Sequence, residues 1–282
     1  MKTLSDYKKQ KDFLVCVDSD GCAMDTMNIK HFNCFGPCMV AEWNLDSWRD
    51  EILYRWNQIN LYTITRGINR FKGLAMALSE IDKKYCPIDG VDKLIDWTEN
   101  SNELSNDALK RKIAEEPHCV CLKKALAWSV AVNESINLLP QEQKLPFENA
   151  KEALEFAHKR ADVAIISSAN LDAVLEEWEQ HGLLKQVDIV LAQNSGSKAF
   201  CIGELIKKGY DMKNVVMCGD APGDLQAAEK NGVYFYPILV NLEKESWQEF
   251  IDVAFDKLLD NDFGNQYQQK KIKDFYENLN VK

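Results

Sequence analysis

The sequence predicts an α/β fold, a doubly wound parallel sheet that carries a mostly helical inserted domain. Three observations support this. Short apolar, β-rich runs recur and stop abruptly at polar residues; amphipathic helical patterns separate them; and the stretch 25–149 is nearly free of such runs. The first run, FLVCV at residues 13–17, ends in the acidic turn Asp18-Ser19-Asp20-Gly21. The second, VAII at 163–166, ends in Ser167 and Ser168, and the third, VDIVLA at 187–192, leads into QNSGSK. The fourth, NVVMC at 214–218, ends in GDAPGD, and VYFYPILV after Gly232 reads as a fifth strand. LDAVLEEWEQHG and KAFCIGELIKKG are helices, each closed by glycine. Amphipathic segments at 247–259 and 268–279 are expected to dock on the sheet.

Within 25–149 the helical period recurs in WRDEILYRWNQI, INRFKGLAMALSEI and CLKKALAWSVAVNESINLL. The stretch LLPQEQKLPFENA, with Pro140 and Pro146, reads as the return linker, because each proline disfavours helix at the residue before it. The expected organisation is therefore a core of residues 1–24 and 150–282 with a helical cap over 25–149. Trp43, Trp48 and Trp56 are expected to form the core of that cap rather than a platform for bases.

Composition narrows the function. Across 282 residues, 34 Lys and Arg face 44 Asp and Glu, a net charge of -10 that repels a nucleic-acid backbone. No apolar run approaches a membrane span, and the polar N-terminal segment MKTLSDYKKQKD lacks a secretory apolar region, so no membrane partner and a cytoplasmic location are expected. The nine cysteines are an odd number without paired spacing. Neither Cys34 and Cys38 near His31 nor Cys119 and Cys121 near His118 has zinc-ligand spacing, so reduced, mostly buried thiols are expected.

In open parallel sheets a ligand sits beyond the carboxyl ends of the strands, so the polar residues ending each run should converge. They are Asp18 and Asp20, then Ser167 or Ser168, then Lys198, then Asp220 and Asp224. Carboxylates, a hydroxyl and an ammonium suit a hard cation and an anionic group. Mg²⁺ takes oxygen ligands and is commonly held by one or two carboxylates plus a substrate phosphate, a role that suits Asp18 and Asp220. A carboxylate there can attack phosphorus, Lys198 and the Ser167 hydroxyl can hold the phosphoryl oxygens, and Asp20 can protonate the leaving alcohol.

These four segments, in this order, resemble the motifs of the haloacid dehalogenase-like superfamily of phosphohydrolases. The family's DxDG matches Asp18-Ser19-Asp20-Gly21, its hydroxyl residue Ser167, its lysine Lys198, and its GDxxxD Gly219-Asp220 through Asp224. The resemblance implies Asp18 as nucleophile, Asp20 as general acid/base with its backbone carbonyl on Mg²⁺, Asp220 as the remaining protein ligand, and Asp224 as an outer or additional one. Ser167 occupies the family's usual position, with Ser168 as the alternative. An insertion between the first two motifs is where one group of these enzymes places a helical cap that selects the substrate; here it is longer than the compact cap of the smallest relatives, and it offers Arg66 and Arg70 for an anionic or sugar-like group. His31 is expected to pack or hydrogen-bond in the hinge. The expected activity is Mg²⁺-dependent hydrolysis of a small phosphorylated metabolite through an aspartyl-phosphate. A sugar-phosphate mutase of the same superfamily is the alternative, and a receiver-like or non-catalytic phosphoacceptor module the alternative of another class.

Overall fold

A computed structural model describes residues 3–264 and 266–279. The chain divides into two compact units, Met1–Met27 with Gln141–Lys282, and Asn28–Pro140. Compared with the expected joins at 25 and 149, residues 141–149 fall with the core. The reason lies in the backbone: Asp25 N donates to Leu145 O at 2.8 Å and Phe147 N to Ala23 O at 2.9 Å, so the return segment pairs with the chain leaving the core.

The core unit is a five-stranded sheet in the order β3-β2-β1-β4-β5, with β1 Phe13–Val17, β2 Ala161–Ile166, β3 Ile189–Leu191, β4 Val215–Gly219 and β5 Tyr234–Pro237. Every neighbouring pair is parallel. Strands covered on both faces must be apolar along their length, and β2 is buried at all six residues. It starts two residues before its apolar run because Asp162, fully buried, has three donors on one carboxylate oxygen: Gln10 N and Lys11 N donate to Oδ2 at 2.8 and 3.1 Å, and so does the Tyr210 hydroxyl, while Lys11 Nζ stands 3.8 Å from Oδ1. On one face Val15, Val17, Val163, Ile165 and Val216 pack with Trp178, Trp247, Phe250 and Phe255. The segment expected as one helix at 247–259 is two short helices, Glu243–Glu249 and Phe255–Leu259, joined by a π-helical turn at Phe250–Ala254. The last helix, Gln266–Leu279, sets Phe275 edge-on to Phe235 of β5, ring centroids 5.2 Å apart.

Register decides where the chemistry lies. Val17 of β1 pairs with Ile165 of β2 and with Cys218 of β4, so these three strands finish level. The chain winds from β1 out to β3 on one side and continues through β4 to β5 on the other. The carboxyl ends of β1 and β4 therefore flank the point where the winding reverses, the crevice in which such sheets bind ligands.

The second unit is helical, with helices Gly36–Trp43, Arg49–Asn57, Arg70–Lys84, Val91–Asn100, Asn106–Glu115 and Val120–Asn137. Its core holds Trp43, Trp56, Phe71, Leu74 and Trp128, with Trp56 and Trp128 edge to face at 6.0 Å. Among the described residues no helix is long and apolar enough to cross a membrane.

Candidate active site

The loop after β1 is built by its own residues. Gly21 takes φ 82°, a conformation that side-chain-bearing residues rarely adopt, and this turns the chain back so that Cys22, Ala23 and Met24 all donate their N–H to Ser19 O, at 3.3, 3.1 and 2.9 Å. Asp18 N donates to Cys218 O at 3.0 Å, which fixes the head of the loop to β4. Beyond β4, Pro222 occupies the first turn of the helix Pro222–Asn231, and Asp224 Oδ2 accepts from Ala221 N at 3.1 Å to close its N-terminus.

These two loops and the helix that begins at Lys198 meet. Carboxylate oxygens of Asp18, Asp220 and Asp224 lie within 4.8 Å of one another, and all three residues are buried. Lys198 Nζ stands 2.8 Å from Asp18 Oδ2 and 2.5 Å from Asp224 Oδ1. Lys198 is the first residue of its helix, where a positive charge opposes the helix dipole, so the carboxylates and not the helix hold it there. Burial pushes the Asp18 carboxyl up to about 6; the attraction of Lys198 pulls against that rise and the charge of Asp224 adds to it. Asp224 is raised in the same way, by burial first, with Lys198 opposing and Asp220 adding. For Lys198 burial acts downward, yet the two carboxylates outweigh it and hold the ammonium above the usual lysine range.

Three carboxylates against one ammonium leave two negative charges in a buried site, the charge of one divalent cation. The all-oxygen donor set fits a hard cation such as Mg²⁺ and suits zinc poorly. All nine cysteines are free thiols.

Gly219 fits this arrangement closely. A Cβ at that position would stand 2.4 Å from both Cβ and Cγ of Asp224. Gly219→Ala is therefore expected to push Asp224 off Lys198 and to lower the melting temperature by about 5 °C or more. An unchanged thermal unfolding midpoint would mean that Asp224 is free to move aside.

The remaining expected residues are placed as follows. The Asp20 carboxylate accepts a hydrogen bond from the Thr26 hydroxyl, a partner that the sequence pattern does not single out. Ser167 is buried at the end of β2, its Oγ accepting from Ala169 N at 3.1 Å, while Ser168 is exposed. Asn170, not Ser167, caps the following helix, accepting from Asp172 N and Ala173 N. Arg66 and Arg70 belong to the helical unit. Arg66 is buried and donates from Nη1 to Leu61 O at 2.7 Å. Arg70 donates to Asn133 Oδ1 at 2.7 Å and lies over the Phe35 ring, 5.1 Å from its centroid. His31 stacks on Phe35 and accepts from Trp56 Nε1 at 3.1 Å.

Among known proteins, residues 99–238 match the family described as haloacid dehalogenase-like hydrolase. That stretch takes in Ser167, Lys198, Asp220 and Asp224, while Asp18 and Asp20 precede it. No curated protein matches the chain. A solved structure from Lactobacillus delbrueckii subsp. bulgaricus ATCC BAA-365, provisionally called a phosphoglycolate phosphatase, is 14% identical over 80% of this chain and 85% of that one, with a TM-score of 0.51. A haloacid dehalogenase-like family hydrolase from Streptococcus pneumoniae is 9% identical over 84% and 90% of the two chains, with a TM-score of 0.49. A protein from Thermotoga maritima, provisionally called a beta-phosphoglucomutase, is 17% identical over 88% and 97%, with a TM-score of 0.45. At these identities the likeness to the first establishes a shared fold.

Proposed function

We propose, from the match of residues 99–238 to the haloacid dehalogenase-like hydrolases, that the chain is a Mg²⁺-dependent phosphatase of that family acting on a small phosphorylated metabolite. One observation carries the reading: Asp18, Asp220 and Asp224 close on one another around Lys198 at the carboxyl ends of β1 and β4. Asp18, Asp220 and the backbone carbonyl of Asp20 would hold the ion, with Asp224 serving first as the partner of Lys198 and the cap of its helix. When bound, Mg²⁺ supplies charge neutralisation that lets one carboxylate approach a phosphate dianion.

In the proposed reaction an Asp18 carboxylate oxygen attacks phosphorus. The P–O bond to the substrate alcohol breaks, and the leaving oxygen takes a proton from the Asp20 carboxyl. Asp20, now ionised, removes a proton from water, which attacks phosphorus; the Asp18–phosphate bond breaks and inorganic phosphate leaves. Thr26 holds the Asp20 carboxyl in one orientation through both proton transfers. Lys198 and the Ser167 hydroxyl hold the phosphoryl oxygens while charge builds on them. Arg70 is the better candidate to receive an anionic group elsewhere on the substrate, since its guanidinium meets no carboxylate among the described residues. Arg66 is retained as a second candidate.

A panel of phosphorylated metabolites tests the reading through phosphate release with Mg²⁺ and with chelator. Turnover is expected with Mg²⁺, a loss on the order of 100-fold or more with chelator, and recovery when Mg²⁺ is returned. Release that survives chelation would remove the metal from the reaction. An isomerised sugar phosphate without phosphate release would assign a mutase, and a stable phosphoprotein without turnover a receiver-like module.

A further inference from the structure

The two reactive carboxylates sit on either side of Ser19, which is itself fully buried. A hydroxyl there is costly without a partner, and it has one: Trp178 Nε1 donates to Ser19 Oγ at 2.9 Å. The same loop is gripped a second time from another helix, where Trp247 Nε1 donates to Cys22 O at 3.0 Å. Trp178 lies in the helix Leu171–Gln180 and Trp247 in Glu243–Glu249, and both rings are fully buried. Indole N–H groups are directional, and a buried ring fixed by packing has little freedom to follow a loop that shifts.

We propose that Trp178, through Ser19, and Trp247, through Cys22, are positioning residues that hold the loop bearing Asp18 and Asp20 at the depth the reaction needs. Packing alone would be served equally well by an apolar residue at position 19 and phenylalanine at 178. The serine adds a directed bond at the residue between nucleophile and acid, and Ser19 O is also the acceptor on which the loop's three N–H groups converge. The proposal rests on the phosphatase reading for its kinetic consequence, and on the two indole hydrogen bonds for the placement of the loop.

Trp178→Phe keeps the ring and removes the donor, while Ser19→Ala removes the acceptor. Trp178→Phe alone is expected to lower both the melting temperature and kcat, because the Ser19 hydroxyl is left buried without its donor. In Ser19→Ala/Trp178→Phe neither polar group remains, so the melting temperature should return towards wild type. The kcat should stay about tenfold low with KM within about twofold, since small misplacements of reacting groups act on the chemical step. Trp247→Phe should give a similar tenfold fall in kcat. Recovery of kcat together with stability in the double variant would reduce the bond to a structural role and overturn the proposal. A crystal structure of the double variant reads the loop without any activity: Asp18 displaced from Lys198 supports the proposal, and an unmoved loop overturns it. Absence of phosphate release in the wild-type protein would count against the phosphatase reading, leaving the crystallographic comparison to decide the inference.

Discussion

Asp18→Asn is expected to lower phosphate release on the order of 10⁴-fold or more while leaving the protein folded. The amide is nearly isosteric but is no nucleophile towards phosphorus, so the covalent route closes. Stability should hold, because Lys198 keeps Asp224 as a partner at 2.5 Å and because a carboxyl that burial raises to about 6 is itself costly to ionise in place. Steady-state phosphate release and thermal unfolding of the same preparation check both halves. Turnover near wild type would remove Asp18 from its assigned role.

Lys198→Met should cost both activity and stability. The variant leaves Asp18, Asp220 and Asp224 buried together with no ammonium among them. Removing one partner of a buried ionic cluster typically destabilises by roughly 3–5 kcal/mol, and losing a donor to the phosphoryl oxygens lowers turnover by about 10³-fold. The pH dependence has a definite sign. Lys198 is what pulls the Asp18 and Asp224 carboxyls down against burial, so without it their folded-state values rise further. The folded variant then keeps protons that the unfolded chain has already released, and its stability falls as pH rises from about 5 to about 8. Urea midpoints at those two values measure it; a deficit independent of pH would show that the carboxylates do not govern the loss. Together the two substitutions separate chemistry from charge balance, since one should abolish turnover in a stable protein and the other should weaken the protein as well.

Much of the core was legible because parallel strands covered on both faces write themselves as continuous apolar runs, as FLVCV did before Asp18. The start of β2 was not, since Asp162 reads as a loop residue until Gln10, Lys11 and Tyr210 are seen to donate to its Oδ2. The expected helix across 247–259 missed its π-helical turn, which changes hydrogen bonding without changing which residues are apolar. Helices Val91–Asn100 and Asn106–Glu115 run for only ten residues each, too short for their period to stand out beside Arg70–Lys84 and Val120–Asn137. At the site, Asp18, Lys198, Asp220 and Asp224 could be picked out because each follows a strand run, and the sheet registers bring such positions together whatever their distance along the chain. The supports behind them left no comparable trace. Ser19 and Trp178 are 159 positions apart and neither belongs to a pattern; Thr26 is one threonine in a polar stretch.

The two backbone bonds joining residues 23 and 25 to residues 147 and 145 mean that the polypeptide departs from the sheet-bearing unit and comes back at a single spot. Closing an excursion from such a spot becomes only slowly more expensive as the excursion lengthens. Genetic exchange could thus rewrite the intervening helices wholesale, while the strands and the carboxylates at their tips inherit no new strain.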